Sequence, residues 1–139
     1  MEINLELKIH QGLGNLSFGM SIEEAIDKMG KADDVEVLDG VDETQTTVLH
    51  YAELGVAFFF EGNQPVLKCI DVYNEDALLK GEKVFEKTEN EVEEIMKALG
   101  FFEEDVEEET WGEKRISFLE ANIDFFFEEG ILTSIVFGK

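Results

Sequence analysis

A chain of 139 residues suits one compact domain, and its 33 Asp and Glu against 11 Lys and Arg give a formal charge of −22 at pH 7. Charge of that sign repels the phosphate backbone and anionic membrane surfaces, so neither nucleic acid nor a membrane is expected as a partner. Apolar residues make up 44% of the chain and 12 are Phe, which separates it from disordered acidic tails, where high charge goes with low hydrophobicity.

In chain order, the alternation of Ile3, Leu5, Leu7 and Ile9 predicts an opening strand near 3–9. Ser21 with Glu24 three residues on makes a capping box, Ile22, Ile26 and Met29 form an apolar stripe, and Gly30 stops the helix. Strands follow near 35–39, 46–52, 55–60 and 66–73, with turn signals at Asp39-Gly40, Leu54-Gly55 and Glu61-Gly62-Asn63. Asn74 to Lys83 reads as a link. Thr88 or Asn90 then caps a second helix striped by Val92, Ile95, Met96 and Leu99 and stopped by Gly100. Strands near 105–111, 114–120, 122–128 and 131–137 complete the chain, with a turn at Glu128-Glu129-Gly130. Helices of about ten residues hold by packing rather than by propensity.

The chain repeats itself. Tyr51-Ala-Glu-Leu-Gly-Val-Ala-Phe-Phe-Phe-Glu61 matches Phe118-Leu-Glu-Ala-Asn-Ile-Asp-Phe-Phe-Phe-Glu128 at an offset of 67, which also pairs Gly14 with Gly81, Phe18 with Phe85 and Ser21 with Thr88. The helices Ile22 to Gly30 and Val92 to Gly100 match at an offset of 70, so the second copy carries about one extra helical turn before its helix.

Strand parity sorts the side chains into two faces. Val56, Phe58, Phe60, Leu49, Tyr51, Ile70 and Val72 share one face, as do Ile123, Phe125, Phe127, Ile116, Phe118, Ile135 and Phe137; these should lie under the helices. The opposite face carries His50, Ala57, Phe59, Asp71, Tyr73, Arg115, Ser117, Asp124, Phe126 and Ser134. Its aromatics either form an open patch of the kind that anchors protein interfaces or are tucked under loops.

A short capped helix ending in Gly, then an antiparallel meander with a Phe-Phe-Phe strand, then the whole unit again, resembles the β-lactamase-inhibitor-protein fold. Phe18-Gly-Met-Ser-Ile-Glu-Glu-Ala-Ile-Asp-Lys-Met-Gly30 is similar to the opening of that unit, and to the opening of small outer-membrane-assembly lipoproteins that carry one unit. The resemblance spans about 14–74 and 81–137 and identifies an architecture rather than an activity. It implies two sheets laid side by side, whose concave surface grips a protein. By position it nominates His50, Phe59, Tyr73, Arg115, Asp124 and Phe126, with Trp111, assigned to the fourth strand of the second copy, as a further candidate. The chain lacks the disulfides and export signal of the secreted members, which argues against an extracellular β-lactamase as its target.

Motifs that carry chemistry are few. Gly12-Leu-Gly-Asn lacks the spacing and the Lys of a phosphate loop, and no Gly-x-Ser-x-Gly elbow is present. Cys69 reads as a small buried hydrophobe on a strand, and a lone cysteine excludes a disulfide framework. His10 and His50 are too few and too far apart for a metal site, and Asp39 to Glu43 reads as a hairpin turn rather than a calcium loop. The opening MEINLELKIH lacks the regions of a signal peptide, and no apolar run nears the roughly 20 residues of a membrane helix, so a cytoplasmic location is expected.

Glu103 to Glu109 packs six carboxylates into seven residues beside Trp111. Either they keep the chain soluble, or Glu107, Glu108 and Glu109 meet a basic partner and speed its association. The expectation is therefore an α+β protein, one domain over 1–139, built of two tandem repeats whose meanders form one sheet with an open concave face. It is expected to be non-enzymatic, to need no cofactor or metal, and to bind a basic protein. By analogy with small acidic cytoplasmic inhibitors, that partner is a toxin domain and the chain its immunity protein. A homo-oligomeric scaffold and a small-ligand carrier are the alternatives.

Overall fold

A computed structural model describes residues 4–39 and 45–139. The turn expected at 40–43 and the side chain of Ile3 lie outside the described residues. The elements, in chain order, are strands β1 (Glu6–Lys8), β2 (Gly12–Leu13) and β3 (Leu16–Ser17), helix α1 (Ile22–Met29), and strands β4 (Asp34–Asp39), β5 (Gln45–Tyr51), β6 (Val56–Glu61) and β7 (Val66–Val72). Strands β8 (Leu78–Leu79) and β9 (Glu82–Lys83), helix α2 (Glu89–Ala98), and strands β10 (Glu104–Glu108), β11 (Glu113–Phe118), β12 (Ile123–Glu128) and β13 (Ile131–Gly138) follow. The class is α+β.

Local sequence rules explain the helix starts. Ser21 accepts a hydrogen bond from the Glu24 N–H while Glu24 returns one to the Ser21 N–H, and Thr88 and Glu91 do the same for α2. Between Thr88 and Asn90, the cap is Thr88. The stripes hold in part. Ala25 and Met29 carry the burial of α1, whereas Ile26 is 38% exposed; Val92, Ile95 and Met96 are buried on α2, whereas Leu99 lies at its exposed end. A helix of two turns presents only a narrow stripe to the core, and Ile26 falls at its rim.

Eight strands form one antiparallel sheet in the order β10-β11-β12-β13-β7-β6-β5-β4. Its centre is the β7–β13 pair, where Val72 lies opposite Ile135, Asp71 opposite Val136, Ile70 opposite Phe137 and Cys69 opposite Gly138. A second sheet, of five very short strands, runs β3-β2-β1-β8-β9. In it β1 is antiparallel to β2 and parallel to β8. This second sheet is an addition to the expected architecture. Segments of two or three residues are too short to show a period, and the β1–β8 pairing joins Leu7 to Leu79 across the chain, which no local signal announces.

One hydrophobic cluster holds both sheets and both helices together. Val56, Phe58, Phe60, Ile123, Phe125 and Phe127 are buried in it, with Leu49, Tyr51, Ile70, Val72, Ile116, Phe118, Ile135 and Phe137 from the same face. Leu7, Leu13, Leu16 and Leu79 of the small sheet and Ala25, Met29, Val92 and Met96 of the helices supply the other side. Edge-on ring contacts add to the packing: Phe18 meets Phe137 of the large sheet with centroids 5.6 Å apart, and within that sheet Phe118 meets Phe125 at 5.9 Å. Tyr51 donates from its hydroxyl to the Gly30 carbonyl at 2.7 Å, fastening the end of α1 to the sheet.

Candidate functional site

The face of the large sheet that points away from the core is built by cross-strand register. One row crosses all eight strands, Asp34–His50–Ala57–Asp71–Val136–Asp124–Ser117–Asp105, each residue directly opposite the next. A neighbouring row carries Glu36, Val48, Phe59 and Cys69 on one side of the seam, and Ser134, Phe126, Arg115 and Glu107 continue the pattern on the other. Phe59, Phe126, His50, Asp71 and Asp124 are half-buried, and Tyr73, just beyond β7, is 40% exposed. Ala57, Val48 and Ser117 are buried between these larger neighbours.

Charges on this face fall into three groups. At the β4 side, His50 Nε2 lies 2.9 Å from Glu36 Oε1. At the β10 side, Arg115 donates to Asp105 at 3.1 Å and Glu107 at 2.9 Å, and also to the Ser117 hydroxyl. Those bonds raise its pKa further above the ordinary guanidinium value. In the middle, at the seam, stands Asp71, whose Oδ1 is shielded from solvent and has no hydrogen-bond partner among the described residues. Burial pushes its carboxyl above the usual range, and the nearby His50 offsets that only in part. Cys69 is pushed up to about 11, first by burial, then by the negative charges of Asp71 and Glu61. The Tyr73 hydroxyl is raised by burial and by Asp71 and Asp33.

The third feature is a pair of recesses on either side of Trp111. One, of about 170 Å³, is lined by Trp111, Phe126, Lys114 and Arg115 and by the carboxylates of Glu107, Glu109 and Glu113. The other, of about 410 Å³, is lined by Glu113, Glu128, Glu129, Ile131 and Thr133 with Trp111. Trp111 lies in the turn between β10 and β11, not on a strand as expected, because Gly112 at φ 96° breaks the extended run. The indole is 68% exposed.

The structure therefore groups Trp111, Arg115, Phe126, Glu107 and Glu109 around one recess, and places His50, Phe59 and Tyr73 on the other half of the same face, with Asp124 in the row between. Glu108 is separated from them. It pairs with Lys114, which reaches Glu89 of α2 at 2.7 Å, so it stands on the helix side of β10. Sequence reasoning did not nominate Glu36, Asp71, Glu113, Glu128 or Glu129. Parity placed Asp71 on this face, but the shielding of its Oδ1 needed the tertiary register.

Among the described residues no group of three or more His, Cys, Asp or Glu is arranged to hold a metal ion. Among the described residues no helix is long and apolar enough to cross a membrane. No family model, curated protein or solved structure matches the chain.

Proposed function

We propose that the protein is a non-enzymatic binding protein that grips a basic protein partner on the helix-free face of its large sheet and blocks the surface it covers. The observation that carries this reading is the set of half-buried or exposed aromatic side chains, Phe59, Tyr73, Trp111 and Phe126, standing among carboxylates on one sheet face. Aromatics ringed by charge are the anchor-and-rim composition of protein interfaces. A net charge of −22 selects for a basic partner and accelerates its approach. An immunity protein neutralising a basic toxin domain is the concrete form of this role, by analogy with small acidic inhibitors.

The face is broad on this reading because the chain is two copies of one unit meeting edge to edge, as in the β-lactamase-inhibitor-protein architecture. Several features recur at the 67-residue offset and support the duplication. They are the capping boxes at Ser21 and Thr88, and the one-turn 3-10 helices Ala52–Leu54 and Leu119–Ala121. The left-handed residues Gly55 and Asn122 and the register breaks at Phe59/Phe60 and Phe126/Phe127 follow the same spacing. The hairpins β2–β3 and β8–β9 stand on opposite sides of β1, the first antiparallel to it and the second parallel, with Gly14 and Gly81 at positive φ in their turns. The halves would be related by a two-fold axis through the Asp71–Val136 pair, since Ile70 faces Phe137 and Val72 faces Ile135 on either side of it.

The test is capture of partners from native extract on immobilised protein, followed by size and stoichiometry of the purified complex. One basic protein in a defined complex is expected, lost by the double variant Phe59→Ala/Phe126→Ala and weakened between about 0.05 M and about 0.5 M salt. No stoichiometric partner, or one that the double variant retains fully, removes the proposal. Self-assembly is the second reading. Edge strand β4 favours it, because Val35 and Val37 are 56% and 57% exposed beside an unpaired strand edge. A concentration-dependent mass in light scattering would support it.

A further inference from the structure

We propose that the cleft beside Trp111 receives an arginine side chain of the basic partner. The inference rests on the binding role above and names the side chain that this role brings to one end of the sheet.

The cleft is a built feature. The turn between β10 and β11 is closed by the Glu109 N–H donating to the Glu113 carbonyl at 2.7 Å and the Gly112 N–H donating to the Glu109 carbonyl at 3.2 Å. The adjacent turn between β12 and β13 is pinned to it, because the Glu129 N–H donates to the Gly112 carbonyl at 3.0 Å. A Cβ at position 112 would stand 3.2 Å from Glu129 Cγ, so glycine allows both the left-handed backbone and the close approach of the two turns. Trp111 rises from this platform. Its Nε1–H donates to Glu113 Oε2 at 3.0 Å, which fixes the indole in one orientation although 68% of the residue is open to solvent. A large aromatic held in place outside any core has no packing role that accounts for it.

The surroundings specify the ligand. Trp111, Glu113, Glu128, Glu129, Ile131 and Thr133 enclose about 410 Å³. Among the described residues no Lys or Arg lies within ion-pairing distance of Glu113, Glu128 or Glu129. The cations closest in sequence are committed elsewhere, Lys114 to Glu89 and Arg115 to Asp105 and Glu107. A π-face with unpaired carboxylates around it attracts a cation, and a planar one best. A guanidinium stacks on an indole while its edge N–H groups donate to carboxylates in pairs; an ammonium is more strongly hydrated and cannot stack.

The readout is local, because Trp111 is the only tryptophan of the chain. Its emission is followed while the full-length protein is titrated with N-acetyl tri-arginine amide, tri-lysine amide and the uncharged isostere tri-citrulline amide. A saturable change is expected with tri-arginine, with affinity at least about fivefold above tri-lysine and no saturable change with tri-citrulline. Glu128→Gln/Glu129→Gln should weaken tri-arginine binding about fivefold or more. Glu53→Gln/Glu75→Gln removes the same charge from exposed positions in the other half and should leave it within about twofold. Calorimetry on Trp111→Ala should show the binding heat lost. No saturable change, equal affinity for tri-lysine, or equal weakening by the two double variants overturns the proposal. The two readings fail separately. A basic partner captured through Phe59 and Phe126, with Trp111 emission indifferent to tri-arginine, removes the arginine cleft and leaves the binding role. Absence of a basic partner removes the role whatever the peptides do.

Discussion

Asp71→Asn should stabilise the protein at neutral pH. The Asp71 carboxyl sits at the centre of the large sheet, with Ala57 and Val136 as its cross-strand neighbours and Oδ1 shielded without a partner among the described residues. An unsatisfied buried acceptor costs about 1–3 kcal/mol and more when it is charged, and about 1 kcal/mol is the expected extra cost of the charge at a residue that is only half-buried. The amide keeps the shape and removes the charge. Burial raises the Asp71 pKa, so the folded chain holds that proton more tightly than the unfolded chain does. The associated stability is fully present below the ordinary carboxylate value of about 4 and is lost as pH rises through the raised value. Asn does not titrate. The variant should therefore match the wild type at about pH 3 and exceed it at about pH 7, by about 1 kcal/mol or 3–4 °C in Tm for a chain of this size. Urea unfolding at the two pH values measures it. A gain that is the same at both, or no gain at neutral pH, would show that Asp71 is satisfied in solution and that its ionisation carries no cost.

The two sides of the Phe-Phe-Phe strands should respond oppositely to truncation. Phe58→Ala or Phe125→Ala, at fully buried positions, should cost about 3–5 kcal/mol, whereas Phe59→Ala/Phe126→Ala should keep a cooperative thermal transition; loss of that transition in the double variant would make the outer aromatics core residues. Cys69, pushed up to about 11, should be about one-thousandth thiolate at pH 8, so its alkylation should be slow and should accelerate up to about pH 11. A rate typical of a free thiol at pH 8 contradicts that. Glu107→Lys with Glu109→Lys should slow association with a basic partner far more at low salt than at high salt, since screening acts within about 10 Å at 0.1 M. An association rate insensitive to the change would make the acidity of β10 irrelevant to binding.

The strands of the large sheet and both helix starts were legible because their signals are local. Alternation in Val56 to Phe60 and Ile123 to Phe127 fixes which side chains face inward, and the serine and threonine capping boxes mark where the helices begin. The small sheet was not legible. Leu7 and Leu79 pair across just over half the chain through strands of two or three residues. Trp111 was misplaced onto a strand because the segment before it, Glu104–Glu108, is a strand, while the turn depends on the single residue Gly112.

The order of elements, the buried face and the excess of negative charge follow from the sequence, since each depends on residue type and on spacing within a few positions. Tertiary register alone decided which carboxylates stand together. Glu107 and Glu108 are neighbours in the chain, yet the pleat sends one to Arg115 and the other toward Lys114 and α2. Asp71 and Val136 are far apart in the chain, yet they meet at the centre of the large sheet because β7 and β13 pair there. Pairing between distant strands depends on the free energy of the whole sheet, which no short window of residues contains.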